Sequence, residues 1–346
     1  MASTTASPPL PRQRSGSVAF QNDRARRRYW LTLGVCVTLA VLFAIGLLTY
    51  NIPVAFGSDP FWVIARHRAS SVLVMLIIAV CHATATVAFQ TITTNRIITP
   101  GIMGFESLYV AIQTGVMFFL GSTGLTAFSG IGQFLAQIAV MVALAALLYG
   151  WLLSGRFANL QIMLLVGIVI GTGLGSVSSF MQRMLSPSEF DLLTARLFGS
   201  VNNAREEYLP VAIPIVIVVA ALLYLRSRRL NVMALGKDIA TGLGLHHTRE
   251  LMTTLTLVTL LMAVSTALVG PMTFLGFLVA TLAYQFANTS DHRFVFPLAI
   301  TFAFLVLTSA YFIMNHVFYA QGVVSILIEF VGGTVFLWTI LRRRVL

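Results

Sequence analysis

Two carboxylates fall inside long apolar runs, Glu106 and Glu329, and they are the first candidates for chemistry in this chain. An ionised carboxylate in lipid is costly, so each must face protein or water, either as a helix-packing group or as part of a polar pathway. Gln90 and Gln113, with Thr84, Thr86, Ser176, Ser178 and Ser179, add polar groups that pack helices or flank a conduit. The histidines do not gather around them. His82 stands alone in its run, His246-His247 is an isolated pair, and His292 and His316 lie near run ends, so no metal-ligand spacing arises. Cys36 and Cys81 sit in separate apolar runs and read as small buried hydrophobes. No grouping of His, Asp and Glu on one helix face offers a hydrolytic centre. The only Gly-Lys pair, Gly236-Lys237, is followed by Asp238, and Asn231 stands where a phosphate loop needs its first glycine. The chain is therefore expected to hydrolyse no ATP itself and to hold no metal.

The elements that position these residues follow from composition. Of 346 residues, 58% are hydrophobic and only 10% charged, with a mean hydropathy of +0.89. A soluble domain is about a quarter charged, and a bilayer span takes about 20 apolar residues, so the supply suits roughly ten membrane helices in an all-α fold. The runs place spans at residues 29–50, 70–90, 101–120, 131–153, 160–180, 209–225, 251–269, 272–286, 294–315 and 322–341, the eighth being short. Ten crossings put both termini on one side, and that side collects 17 of the 22 Lys and Arg residues. The other side holds Arg66, Arg68, Arg183, Arg196 and Arg205, matched by Asp59, Glu189, Asp191, Glu206 and Glu207. The positive-inside rule then makes both termini cytoplasmic. The pI near 10.5 is thus a matter of topology in contact with lipid, not a sign of nucleic acid. Residues 1–28, rich in Ser, Pro and Arg, are expected to be a disordered cytoplasmic tail, and residues 29–346 a single transmembrane domain.

One cytoplasmic stretch, Arg226 to Glu250, is too patterned for a plain hairpin. Met233, Ala234, Leu235, Ile239, Leu243 and Leu245 recur at roughly helical spacing, and Gly236, Gly242 and Gly244 permit sharp turns between short helices. Periodicity alone fits both an amphipathic segment docked into a soluble partner and a solvated loop.

The string L-N-V-M-A-L-G-K-D-I-A-T-G-L-G-L, from Leu230 to Leu245, resembles the coupling segment of the permeases of iron-siderophore and cobalamin ABC importers. F-Q-T-I-T-T-N-R-I-I-T-P-G-I-M-G-F-E-S-L-Y from Phe89, V-G-P-M-T-F-L-G-F-L-V from Val269, D-H-R from Asp291 and I-E-F-V-G-G-T-V-F-L-W from Ile328 are similar to the same family in the same order. The form around Thr91 to Phe105 resembles permeases for catecholate-type ferric siderophores.

That resemblance implies a type II ABC importer permease fold in the bacterial cytoplasmic (inner) membrane, importing ferric siderophore. The chain would pair with a second permease, either a copy of itself or a sister chain. Two cytoplasmic ATP-binding subunits would hold ATP and Mg, and an extracytoplasmic siderophore-binding protein would deliver cargo. Asn231, Ala234, Leu235, Gly236, Gly242 and Gly244 would couple to the ATPase, Asn159, Leu160 and Gln161 would form the cytoplasmic gate, and Arg66 and Arg68 would receive acids of the binding protein. Arg68 fits the family pattern better, although the usual proline between the arginines is absent. Haem and cobalamin are the alternative cargoes. A different class, an ion-coupled secondary transporter using Glu106 and Glu329, with Gln90 and Gln113 along its pathway, is the other alternative.

Overall fold

The computed structural model describes residues 19–50, 54–55, 57–127, 130–153, 160–201, 204–318 and 324–343. Its described residues form α1 (Asp23–Thr49), α2 (Asp59–Ile92), α3 (Phe105–Ala127), α4 (Ile131–Leu153), α5 (Leu160–Gln182), α6 (Pro187–Leu197) and α7 (Leu209–Leu225). They continue as α8 (Ser227–Met233), α9 (Lys237–Gly242), α10 (His247–Val269), α11 (Thr273–Phe286), α12 (His292–His316) and α13 (Val324–Arg343). Seven of these are long and apolar enough to cross a membrane, and parts of α3, α11 and α13 supply three shorter apolar helices. The all-α polytopic fold with about ten spans is the one found.

Helix α2 is the hub. Every residue from Ile77 to Ile92 except Val80 is buried, and Ala79, Ala83, Ala85 and Ala88 let neighbouring backbones approach. Helices α1, α7, α10, α11 and α12 all pack on it. A helix apolar on all sides belongs in such a place. At the periphery α1 exposes Trp30, Leu31, Val35, Leu42 and Ile45, a face suited to lipid.

Helix α3 meets α5 through glycines. Gly104 has φ of +94°, and a Cβ on Gly171 would lie 2.8 Å from the Gly104 Cα, so neither position has room for a side chain.

Several boundaries differ from the sequence reading. Asn22 accepts from the Ala25 N–H at 2.8 Å and starts α1 at Asp23, inside the expected tail. Phe20 is buried against Tyr29 and Phe294, so the packed chain begins before residue 29, while residues 1–18 lie outside the described ones. Helix α2 begins at Asp59 rather than Ser70, because Pro60 favours a helical first turn. The third span starts with a 3-10 turn, Gly101–Met103, and breaks at Gly121. Helix α6 was not expected; Ser186 and Glu189 form a capping box that starts it.

The eighth span is short, as expected. Its 14 residues make α11 about 21 Å long, less than the roughly 30 Å hydrocarbon core. An end inside that thickness needs polar partners, and at Thr273 it finds one in Glu106 of α3.

Candidate functional site: a cytoplasmic coupling edge and a polar helix face

The stretch from Arg226 to Glu250 folds as α8 and α9, two short helices joined at Ala234–Gly236. Gly236 turns the chain with φ of +95°, and a Cβ there would meet nothing within 4 Å, so the glycine serves backbone conformation and not close packing. Gly244, with φ of +85°, ends α9, where the Leu245 N–H donates to the Ala240 carbonyl at 3.0 Å. Gly242 is helical. Leu230, Met233 and Ala240 turn inward, and Ala234, Leu235, Ile239 and Leu243 turn out. Leu235, Ile239 and Leu243 are 55%, 54% and 62% exposed, an apolar edge on an otherwise charged segment.

This edge is held at two points. At its start, the buried Glu250 of α10 accepts from Arg226 and, at 2.8 Å, from Arg229. In the middle, Asn231 Nδ2 donates to Asp291 Oδ1 at 3.0 Å, and Arg293 grips the same carboxylate. Partial burial alone would raise the Asp291 pKa, but hydrogen bonds from Arg293 and Asn231 and the guanidinium charge outweigh it and hold it at about 2.

The polar groups inside the spans separate into two sets. Thr84, Thr86, Gln90, Gln113 and Ser178 are buried. Gln90 Nε2 donates to the Arg96 carbonyl at 2.8 Å, tying the end of α2 to the loop after it, and Gln113 Nε2 donates to Gln137 Oε1 at 3.1 Å, tying α3 to α4. Gln113 and Gln137 also border a cavity of about 190 Å³ with Arg196 and Arg205. By contrast Thr172, Ser176 and Ser179 of α5 lie on an exposed face, each donating to its own i−4 carbonyl at 2.8 to 3.0 Å. With Ser107 of α3 and Arg183 they line a groove of about 740 Å³. A hydroxyl stripe along an otherwise apolar spanning helix suits a partner helix or water better than lipid.

Glu106 meets the start of α11, and Glu329 sits half-buried on α13, the helix packed on α11. Thr273 donates to Glu106 Oε2, while Glu106 Oε1 has no hydrogen-bond partner among the described residues. Neither carboxylate forms an ion pair among the described residues.

The two arginines ahead of the second apolar run part company. Arg68 Nη1 donates to the carbonyls of Leu47 at 3.2 Å and Tyr50 at 2.8 Å, finishing the end of α1. Arg66 stays 84% exposed, with only a loose 3.9 Å approach to Glu206. The better match to the family pattern is therefore the one turned inward, because it is the one within reach of the α1 carbonyls. Of the three residues expected at the gate, Leu160 and Gln161 open α5, and Asn159 lies outside the described residues.

Glu250, Asp291, His292 and Thr172 were missed as functional candidates. Glu250 had a signal, as the one acid closing a basic segment; Thr172 completes the i, i+4 spacing of Ser176.

A bundle of seven long apolar helices and three shorter ones, with an exposed apolar edge along α8 and α9 and a hydroxyl-lined face on α5, is an arrangement suited to a membrane permease. The chain belongs to the FecCD transport family, matched over residues 32–342. It is 55% identical over 328 residues to the petrobactin import system permease protein FatC of Bacillus anthracis, covering 95% of this chain and 93% of that one. It is 32% identical to the petrobactin import system permease protein YclO of Bacillus subtilis (strain 168), covering 90% and 94%. To a second Bacillus anthracis permease of petrobactin import, FatD, it is 22% identical, covering 89% and 90%. Among solved structures, an inward-facing metal-chelate type ABC transporter matches with a TM-score of 0.77 at 21% identity, covering 88% of this chain and 96% of that one. The type II importer permease fold is thereby the fold of this chain.

Proposed function

We propose that this chain is the permease subunit of an ABC importer that carries ferric petrobactin, or a closely similar ferric siderophore, inward across the bacterial cytoplasmic membrane. The observation that carries the cargo assignment is the 55% identity, nearly end to end, with a petrobactin import permease. The exposed Leu235, Ile239 and Leu243 support the mode of driving, because such an edge suits the groove of a cytoplasmic ATPase. ATP and Mg belong to that partner, and closure of its two copies would move α8 and α9. Both termini are cytoplasmic in this reading.

The second permease is a sister chain of the FatD type. Bacillus anthracis has two distinct petrobactin permeases, and this chain resembles one of them far more than the other. The hydroxyl face of α5 supplies this chain's half of the conduit. A binding protein outside would meet Arg66, and its affinity for cargo leaves the conduit free to bind weakly and release.

The test is radio-iron uptake as ferric petrobactin in proteoliposomes holding this chain, a FatD-type permease, the ATPase and the binding protein. ATP-dependent uptake that is lost on Leu235→Asp is expected. Uptake that persists without ATPase and collapses with a proton uncoupler would instead select the ion-coupled transporter and its two carboxylates. ATP-dependent uptake of haem or cobalamin but not petrobactin would reassign the cargo.

A further inference from the structure

His292 opens α12 and is buried where three helices meet. Its backbone N–H donates to Asn231 Oδ1 at 3.0 Å, and its Nδ1 stands 2.5 Å from the same oxygen. An amide oxygen only accepts, and the Asn231 Nδ2 is committed to Asp291, so the amide cannot be flipped and Nδ1 carries a proton. In the neutral ring Nε2 is then an acceptor, and it faces the Thr91 hydroxyl at 2.6 Å. Thr91 lies in the last turn of α2, and its single proton has a second acceptor in reach, the Val87 carbonyl at 2.8 Å. Tyr284 of α11 covers the same spot, its hydroxyl 3.4 Å from that carbonyl.

We infer that Asn231, His292 and Thr91 form the transmission linkage of this permease, with His292 as the joint that passes movement of the coupling segment to α2. The inference rests on the importer reading given above. Asn231 is on α8, beside the apolar edge offered to the ATPase, and Thr91 is on the hub helix that touches six others, α8 among them. A buried polar contact transmits displacement because breaking it leaves unpaired groups in the interior, where no water replaces the lost partner. Thr91 relieves that cost at one end. Its O–H can donate to His292 Nε2 or to the Val87 carbonyl, so the end of α2 has two arrangements in which the hydroxyl is satisfied. A linkage with two discrete arrangements is what a conformational cycle requires. All three are positioning residues, acting on cargo only through helix movement.

The test measures ferric petrobactin imported per ATP hydrolysed, in the reconstituted importer, for Thr91→Val, Thr91→Ser, Asn231→Ala and the double variant Asn231→Ala/Thr91→Val. Valine keeps the shape of threonine, so Thr91→Val folds even if His292→Ala does not. Thr91→Val and Asn231→Ala should each lower the ratio by roughly fivefold or more, the double variant should fall no further, and Thr91→Ser should restore it. Losses that multiply in the double variant, or a wild-type ratio in Thr91→Val, overturn the linkage while ATP-driven import by the wild type leaves the importer reading standing. Wild-type uptake without the ATPase overturns that reading and the linkage with it.

Discussion

Two residues that read alike in sequence have opposite uses in the structure. Arg66 and Arg68 both precede the apolar part of α2, yet Arg68 is bound to the Leu47 and Tyr50 carbonyls and Arg66 reaches outward. Arg66→Glu should therefore slow association of the binding protein by roughly threefold to tenfold at low salt, with the difference shrinking as salt rises, and without a change in thermal stability. Arg68→Ala should do the reverse, costing about 2 kcal/mol of stability and leaving association nearly unchanged. Stopped-flow association and thermal unfolding in detergent separate the two. Slowed association in Arg68→Ala with Arg66→Glu at the wild-type rate would transfer the docking role to Arg68.

At the scale of elements, the coupling segment depends on one backbone conformation more than on any contact. Gly236 has open space where a Cβ would be, but its φ of +95° is one that L side chains rarely adopt. Gly236→Ala should cost about 1 kcal/mol locally and Gly236→Val more, lowering cargo moved per ATP in that order while membrane insertion is unaffected. Gly242→Ala is the contrast. That glycine is helical and unobstructed, so alanine should be tolerated or slightly stabilising. Equal losses at both positions would mean that the segment needs small residues and not a particular turn. The sequence pattern anticipated short helices separated by glycines, and it did so because helical periodicity and turn glycines are local signals. What held those helices was not local: Glu250, Asp291 and His292 come from elements 20 to 60 residues away, a separation of about that size being beyond any periodic signal.

At the scale of the whole molecule, the stripe of Thr172, Ser176 and Ser179 lies on an open groove, and the proposed assembly would cover it. If that face lines a conduit against the second permease, Ser176→Cys in the assembled importer should react with a membrane-impermeant thiol reagent. Cys36 and Cys81, both buried, should give a low background. Ser176→Phe should cut cargo uptake several-fold while ATP hydrolysis continues. Labelling only by a lipid-soluble maleimide would show the stripe facing the bilayer and remove α5 from the conduit.

The membrane class, the approximate number of spans and the short helices between Arg226 and Glu250 were legible in composition and one-dimensional pattern, since lipid demands long apolar helices whatever their arrangement and glycines mark the turns between short ones. Their arrangement was decided by packing. Gln90 and Ser176 are both polar residues in apolar runs, and nothing in their neighbours along the chain says that one is buried against the Arg96 carbonyl while the other lies on an open groove. Glu106 and Thr273 are 167 positions apart, and only the folding of α3 against the start of α11 brings them together. A side chain's depth and partners depend on which helices meet there, and that is set by the sum of contacts between segments remote in sequence.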